Sequence, residues 1–341
     1  MGWSDCPAAH RTLMEELWDT VIIGAGPTGL SCGIEAQRAG LRFLILEKGA
    51  LVDSIRRFPT NMVFFSTAEN LELGGIPFPT THPRPTRVEA LQYSRRVAEY
   101  FRLPIRLYTP VVSVERDGGL FSARTAHGET LRSRTVIVAT GYFDQPNPLE
   151  VPGEELPHVT HYYVEPYGYV YTRVAVIGGR NSAVETALDL YRHGATVFLI
   201  HRRAWIGESV KYWLKPDIEN RIRREEIRAY FQTVVEAIEP KRLWLRNLVT
   251  EQRFALEVDF VIAHTGYRPN APFLESMGIE LQRPSLVPVY NPETFETSVP
   301  GLYVAGSVVC GCETWNVFIE NGRAHAVPII ADIQRQHVSN R

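Results

Sequence analysis

The chain has 341 residues, 45% of them hydrophobic and 22% charged, and its net charge is −2. This length favours two domains, and this composition is typical of a globular enzyme. The small net charge gives no indication of binding to nucleic acid or to a membrane surface, and no apolar run is long enough to cross a membrane. We therefore predict neither nucleic acid nor a membrane as a partner.

The segment before Trp18 contains Glu15 and Glu16 and no long apolar core. It is therefore not a signal peptide, and we expect a loosely docked extension and a cytoplasmic protein. The four cysteines, at positions 6, 32, 310 and 312, form neither a C-x-x-C motif nor a zinc-binding spacing. No metal site is predicted from them.

The first predicted strand, Thr20 to Ile23, runs into a glycine-rich turn. Gly24 makes the tight turn, Gly26 lets the backbone approach a pyrophosphate, and Gly29 lets the helix that begins there pack close to the sheet. The next strand ends at Glu47, whose carboxylate accepts hydrogen bonds from ribose hydroxyls and repels a 2′-phosphate. This unit predicts a site for FAD, whose adenosine ribose carries free hydroxyls.

Further elements follow in chain order before the second glycine turn. The sequence predicts a Pro- and aromatic-rich stretch at residues 58–85 and a helix at 87–101. Three strands follow at 111–116, 120–125 and 135–141, and the last of them ends in Thr-Gly. A Pro-rich linker is predicted at 145–157.

The second unit has a strand over Arg173–Ile177, a Gly178-Gly179 turn and a helix from Asn181 through Leu190. Ala183 replaces the third glycine and is small enough for close packing. Arg180 stands where glycine is more usual, so a decayed structural copy is the alternative to a working site.

The strand that follows, residues 195–200, ends in His201, Arg202 and Arg203 instead of an acidic residue. Guanidinium groups bind phosphate bidentately, so this site is predicted to prefer NADPH to NADH. An ordinary solvated basic turn is the alternative interpretation. Two dinucleotide sites in one chain indicate an electron transfer between them.

A second Thr-Gly segment ends the strand at Phe260–Gly266, and the stretch Gly301–Ser307 precedes a final helix. We therefore predict an α/β fold with two Rossmann-like dinucleotide-binding domains. The NADPH domain, residues 144–266, is inserted into an FAD domain of residues 1–143 and 267–341. The two Thr-Gly segments would act as hinges for domain rotation.

With these motifs the chain resembles the thioredoxin-reductase-like group of two-dinucleotide-binding-domain flavoproteins. It is more closely similar to the bacillithiol-disulfide reductase (bacilliredoxin reductase) family, and the similar stretches lie at residues 64–78, 139–147, 161–169, 178–185, 209–222 and 318–323. The resemblance implies FAD, NADPH, a homo-oligomer and a low-molecular-weight thiol disulfide or a bacilliredoxin-like protein as electron acceptor.

Two positions depart from the family pattern. The family commonly has a cysteine where this chain has Thr28, and related flavoproteins have aspartate where this chain has Ser307 after Gly306. A serine can still form a hydrogen bond to the FAD ribityl chain, but it carries no charge.

Three electron routes remain open from the sequence. In the first, Cys310 and Cys312 form a redox pair near a helix start, where a thiolate is favoured, although two buried loop thiols are the alternative. In the second, the acceptor is reduced directly, with Thr28 supplying only a hydrogen bond. In the third, electrons pass to ferredoxin or flavodoxin. A flavin monooxygenase is a weaker alternative, because the stretch around His158 and His161 lacks that group's Phe and Gly. A non-enzymatic NADPH-sensing flavoprotein is also open.

The predicted contact residues form two sets. Family resemblance places Phe65, Ser66 and Thr67 beside the isoalloxazine ring, and Glu320 begins a helix under its pyrimidine end. The complete FAD set is Gly24, Gly26, Pro27, Thr28, Gly29, Glu47, Lys48, Phe65, Ser66, Thr67, Val112, Thr140, Gly141, Gly306, Ser307 and Glu320. The NADPH set is Gly178, Gly179, Arg180, Asn181, Ser182, Ala183, His201, Arg202, Arg203, Lys211 and Gly266.

Overall fold

The computed structural model of the chain describes residues 17–339. Cys6 and the segment predicted to be an N-terminal extension, apart from Leu17, lie outside the described residues.

The strands of the described chain, in order, are β1 Leu17–Ile23, β2 Phe43–Leu46, β3 Ile105–Arg106, β4 Val111–Asp117, β5 Leu120–Thr125, β6 Thr130–Val138, β7 Val159–Thr160, β8 Arg173–Ile177, β9 Thr196–His201, β10 Arg228–Phe231, β11 Thr233–Glu239, β12 Arg242–Asn247, β13 Arg253–Glu257, β14 Phe260–Ala263 and β15 Leu302–Val304. The α-helices are α1 Pro27–Arg38, α2 Asp53–Arg56, α3 Arg87–Tyr100, α4 Asn181–Arg192, α5 Lys215–Arg223, α6 Ala271–Ser276, α7 Ile319–Gly322 and α8 Ala326–Ser339.

The largest sheet has seven strands in the order β3-β2-β1-β6-β5-β4, with β15 paired to β6. Strands β2, β1, β6 and β15 run parallel, and β4 and β5 form an antiparallel edge. On the edge opposite β1, strand β6 has two neighbours, because its first half pairs with β5 and its second half with β15. We call this sheet and the helices packed on it the first lobe.

A second lobe contains two sheets. The parallel one has the order β10-β9-β8-β14-β7, and the antiparallel one has the order β11-β12-β13. In both lobes a parallel strand–helix–strand unit (β1-α1-β2 and β8-α4-β9) lies among the parallel strands of the sheet. The predicted α/β class with two Rossmann-like units is therefore confirmed.

Helix boundaries follow local chemistry. Helix α3 begins after a capping box, in which the Thr86 hydroxyl accepts from the backbone N–H of Glu89 and the Glu89 carboxylate accepts from that of Thr86. Helix α1 begins at Pro27, two residues before the predicted start at Gly29, because proline suits the first position of a helix.

Among residues 17–339, four apolar clusters form the cores of the lobes, two in each lobe. The runs predicted to be buried strands are indeed fully covered, including Val21, Ile22, Val136 and Ile137. The predicted domain limits at residues 143/144 and 266/267 remain a prediction, and the chain leaves the first lobe after β6 and returns to it before β15.

Candidate functional site

One continuous cleft, with a volume of about 1940 Å³, lies between the lobes. Both glycine turns open into it. Residues of the first turn line it, among them Gly24 and Gly26, and so do Gly178 and Gly179 of the second turn. The two predicted nucleotide sites therefore share one space.

The first turn has the backbone shape that its glycines imply. Gly24 has a φ of +111°, and a β-carbon there would lie 2.5 Å from the carbonyl oxygen of Ala139. A β-carbon on Gly29 would lie 1.9 Å from the carbonyl oxygen of Gly24, so helix α1 packs directly on the turn. At Gly26 the same position is open space, which leaves room for a phosphate at the helix N-terminus.

Glu47, at the end of β2, is buried in the wall of the cleft. Its two carboxylate oxygens accept the backbone N–H groups of Ala25 (2.7 Å) and Gly49 (2.9 Å). Burial raises the pKa of this carboxyl group. These hydrogen bonds hold the glycine turn against the end of β2. The carboxylate oxygens have further lone pairs that can accept hydrogen bonds from ribose hydroxyls.

The second turn is equally tight. Gly178 has a φ of +142°, and a β-carbon on it would lie 2.9 Å from the side chain of Ala183. A β-carbon on Gly179 would lie 2.4 Å from the His201 ring, so that ring packs directly on the turn. Helix α4 begins at Asn181, as predicted, and has no acidic residue in its first turn. This backbone geometry favours the prediction of a dinucleotide site over that of a decayed copy.

His201 is buried at the end of β9, and Arg202 and Arg203 follow it as exposed residues. Desolvation lowers the pKa of His201, and the nearby Arg203, Arg202 and Arg180 lower it further. Within the described part of the chain, the Nε2 atom of His201 has no hydrogen-bond partner. A phosphorylated ribose at this strand end would meet two guanidinium groups and a neutral imidazole.

Most of the residues predicted to contact the flavin line the cleft. Phe65 and Ser66 line the cleft, and the buried Ser66 hydroxyl donates to the Glu320 carboxylate at 2.8 Å. Three other members of the FAD set, Gly29, Thr67 and Glu320, do not line the cleft. Val112 is corrected: it is 48% exposed and outside the lining, and its neighbour Val111 lines the cleft instead. A bulge between residues 111 and 113 shifts the register there.

The remaining members of the FAD set that face the cleft are Pro27, Thr28, Lys48, Thr140, Gly141, Gly306 and Ser307. Thr28, in the first turn of α1, packs against Gly306. A β-carbon on Gly306 would lie 2.6 Å from the Oγ1 atom of Thr28. The backbone N–H of Gly306 donates to Nδ1 of His325 at 3.1 Å. Burial lowers the pKa of His325 to about 4, so this ring acts as a neutral acceptor.

The three described cysteines are free thiols. Cys312 lines the cleft, whereas Cys310 is buried outside the lining, and its thiol donates to the Ser307 carbonyl at 2.9 Å. Burial raises the pKa of Cys310 to about 11 and also raises that of Cys312. The expectation that a helix start favours a thiolate here is wrong, because Cys310 ends a 3₁₀-helix instead of beginning one.

Both Thr-Gly segments lie where the chain passes between the lobes. Gly141 and Gly266 have left-handed φ values of +65° and +87°. Beside them, Tyr142 and Tyr267 stack with ring centres 6.2 Å apart, and Phe143 packs on Tyr267 at 4.9 Å. Lys48 of the predicted FAD set forms an ion pair at 2.6 Å with Asp144 of the crossing segment.

Besides a contact of Arg57 with Tyr162 next to the crossing segments, sequence reasoning missed three contacts between cations and aromatic rings at the rim of the cleft. Each joins a residue of one lobe to a residue of the other. They are Arg180 with Trp315, Arg84 with Trp213, and Lys211 with Phe65. No sequence signal reveals them, because the partners lie 135, 129 and 146 positions apart (315 − 180, 213 − 84 and 211 − 65).

Comparison with known proteins places this site in a family. Residues 21–306 match the model of the pyridine nucleotide-disulphide oxidoreductases, a span that contains both glycine turns. The chain belongs to this family.

Within it, the chain is 38% identical to the bacilliredoxin reductase Bdr of Bacillus subtilis, over 93% of this chain and 97% of that protein. Two solved structures of bacillithiol disulfide reductase Bdr superpose on it. That from Bacillus cereus has 36% identity and a TM-score of 0.92, and covers 94% of this chain and all of that one. That from Staphylococcus aureus has 34% identity and a TM-score of 0.90, and covers 94% and 99%.

The resemblance found in the sequence is confirmed, and the protein is an NADPH-dependent flavoenzyme with FAD as its cofactor. The ferredoxin reductase and monooxygenase alternatives are not favoured by these relatives. None of the described helices is long and apolar enough to cross a membrane. Between residues 17 and 339 no group of three or more His, Cys, Asp or Glu side chains could hold a metal ion.

Proposed function

We propose that this enzyme passes electrons from NADPH through FAD to the disulfide of a low-molecular-weight thiol, of the bacillithiol type, or to a bacilliredoxin-like protein. The observation that carries the proposal is the single cleft into which both glycine turns open. The relatives named for bacilliredoxin and bacillithiol disulfide reduction support the choice of acceptor.

In this proposal the first turn and Glu47 hold FAD, and the second turn with Arg202 and Arg203 holds NADPH. FAD bound there would supply acceptance of a hydride from NADPH and transfer of its two electrons. The acceptor's S–S bond takes up two electrons and two protons and becomes two thiols. The protein's part is to align the nucleotides and to admit the acceptor to the cleft.

We propose further that the acceptor is reduced directly, without a disulfide between Cys310 and Cys312. The Cys310 thiol is buried, is bonded to Ser307 and has a pKa of about 11, so its thiolate is scarce near neutral pH. Thr28 stays a candidate for hydrogen bonding to the acceptor, since its side chain faces the cleft beside Gly306.

The test is anaerobic stopped-flow reduction of the FAD-loaded protein by NADPH, followed by mixing with one oxidant. The oxidants are bacillithiol disulfide, a mixed-disulfide bacilliredoxin and oxidised ferredoxin. We expect rapid reoxidation by one of the disulfides. Reoxidation by ferredoxin alone would contradict the proposal.

The same experiment on C310S and C312S tests the direct route. We expect both variants to be reoxidised within about twofold of the wild-type rate. A loss of a hundredfold or more in either would show that a thiol of this chain carries the electrons.

For Thr28 the variants T28S and T28V form a matched pair, because the first keeps the hydroxyl group and the second keeps the shape of the side chain.

Two broader parts of the proposal concern assembly and compartment. We propose a homo-oligomer that works in the cytoplasm. Multi-angle light scattering of the FAD-loaded protein measures its mass, and a value of 38.6 kDa for the protein part would contradict the oligomer. Fractionation of the producing cell would test the compartment.

A further inference from the structure

Besides the Arg57–Tyr162 contact next to the crossing segments, three contacts between a cation and an aromatic ring join the two lobes at the rim of the cleft. The guanidinium carbon of Arg180 lies 4.6 Å from the Trp315 ring centre, that of Arg84 lies 4.7 Å from Trp213, and Nζ of Lys211 lies 5.2 Å from Phe65. All three distances are within the range of an attractive cation–π contact. Together they hold the rim of the second lobe against the first.

Two of the three cations also belong to the nucleotide side of the cleft. Arg180 is the residue before the first turn of α4, inside the second glycine motif. Lys211 is held close to that turn, because its backbone N–H donates to Asn181 (2.9 Å) and its ammonium group pairs with Glu185 (2.5 Å). Both side chains line the cleft.

We propose that these three contacts form a clamp that closes the second lobe onto the first, and that the phosphates of the bound nicotinamide dinucleotide compete with it for Arg180 and Lys211. The proposal goes beyond the electron route and rests on the assignment of the second turn to NADPH. It gives Trp315 and Trp213, both partly exposed at the rim, a role in setting nucleotide affinity.

The competition has a direction. Hydrogen bonds from a cation to phosphate are stronger than a partly exposed cation–π contact, so the nucleotide prevails and the clamp loosens. The nucleotide nevertheless binds less tightly than it would to a chain without the clamp. One such contact corresponds to about a two- to fivefold change in an equilibrium constant.

The test is calorimetric titration of the oxidised, FAD-loaded protein with NADP⁺ and with 2′,5′-ADP, which lacks nicotinamide. We expect W315A and R84Q to bind both ligands about two- to fivefold more tightly than wild type, and W315F to lie between. The wild-type tryptophan fluorescence should change on addition of 2′,5′-ADP, and this change should be smaller in W315F.

The matched control is R242Q. Arg242 lies over the Trp244 ring at 5.7 Å within β12, and neither residue lines the cleft. We expect its affinities to equal those of the wild type. Unchanged or weaker binding in both W315A and R84Q would overturn the clamp, and so would an equal tightening in R242Q.

The variants R202Q and R203Q separate this proposal from the site assignment beneath it. If they leave NADP⁺ binding unchanged, the assignment of the second turn fails and the clamp fails with it. If they weaken NADP⁺ binding while W315A does not tighten it, the clamp alone fails. The acceptor experiment has no bearing on any of these affinities.

Discussion

At the scale of single residues, cofactor choice depends on what ends each central strand. Strand β2 ends in the buried carboxylate of Glu47, whereas β9 ends in His201 and is followed by two exposed arginines. The first arrangement would repel a 2′-phosphate and the second would bind one. We therefore predict that a difference of a few side chains makes one strand end a site for FAD and the other a site for NADPH.

This difference leads to a selectivity prediction. In the variant R202Q/R203Q we expect the Kd of NADPH to rise by about tenfold or more, because charge-assisted hydrogen bonds to phosphate are lost. The Kd of NADH should change by less than about twofold. Fluorescence titration of both nucleotides measures this, and equal losses for the two would contradict the assignment.

At the scale of secondary-structure elements, the local signals in the sequence were sufficient wherever chemistry is local. The capping box at Thr86 and Glu89 marks the start of α3, and the predicted helix 87–101 agrees with the observed Arg87–Tyr100 to within one residue. The apolar runs before each glycine turn became β1 and β8. Both outcomes depend on neighbours within a few positions.

What the sequence could not reveal depends on register or on distant partners. Val112 was predicted to contact FAD, but at the bulge in β4 it is Val111 that lines the cleft, and Val112 lies outside the lining. The antiparallel sheet of β11–β13 was not predicted, and the contacts across the cleft join residues more than a hundred positions apart. Alternation along a strand gives two faces, and only the folded neighbours decide which one is buried.

Strand β14 supports a prediction about pH. It is followed by His264, whose Nε2 atom lies 2.8 Å from the Thr186 hydroxyl and whose pKa burial lowers to about 4. The His264 imidazole gains a proton near pH 6.5 in the unfolded chain but only near pH 4 in the folded chain. Its contribution to the free energy of unfolding is therefore present above pH 6.5 and is lost as the pH falls towards 4.

We expect His264 to contribute about 2 kcal/mol to the loss of unfolding free energy between pH 7 and pH 5. Urea unfolding of the FAD-loaded protein at both pH values measures the loss, and H264Q should show a smaller one. An H264Q variant with the full wild-type pH dependence would contradict the burial of a neutral imidazole.

At the scale of the whole molecule, the two lobes are joined where Gly141 and Gly266 adopt left-handed conformations. An alanine at such a position costs roughly 1–2 kcal/mol and stiffens the crossing. We predict that these two glycines are hinges for a rotation of the lobes during turnover.

We expect G141A and G266A to lower kcat severalfold, because alanine is strained in the left-handed conformation at both crossing points. The matched control is G128A. Gly128 has a φ of +84° in a turn of the first lobe, with open space where a β-carbon would be, and therefore carries the same strain without a hinge. Equal losses of kcat in all three variants would contradict the hinge.

The pairing of β15 with the second half of β6 has a consequence for synthesis on the ribosome. Strand β6 ends at Val138, but its partner arrives only with Leu302, after the whole second lobe has been translated. Gly306 and Ser307 reach the cleft later still. The second lobe is therefore complete in the nascent chain while the cofactor pocket of the first still lacks a wall, so FAD can be fully enclosed only when translation is nearly finished.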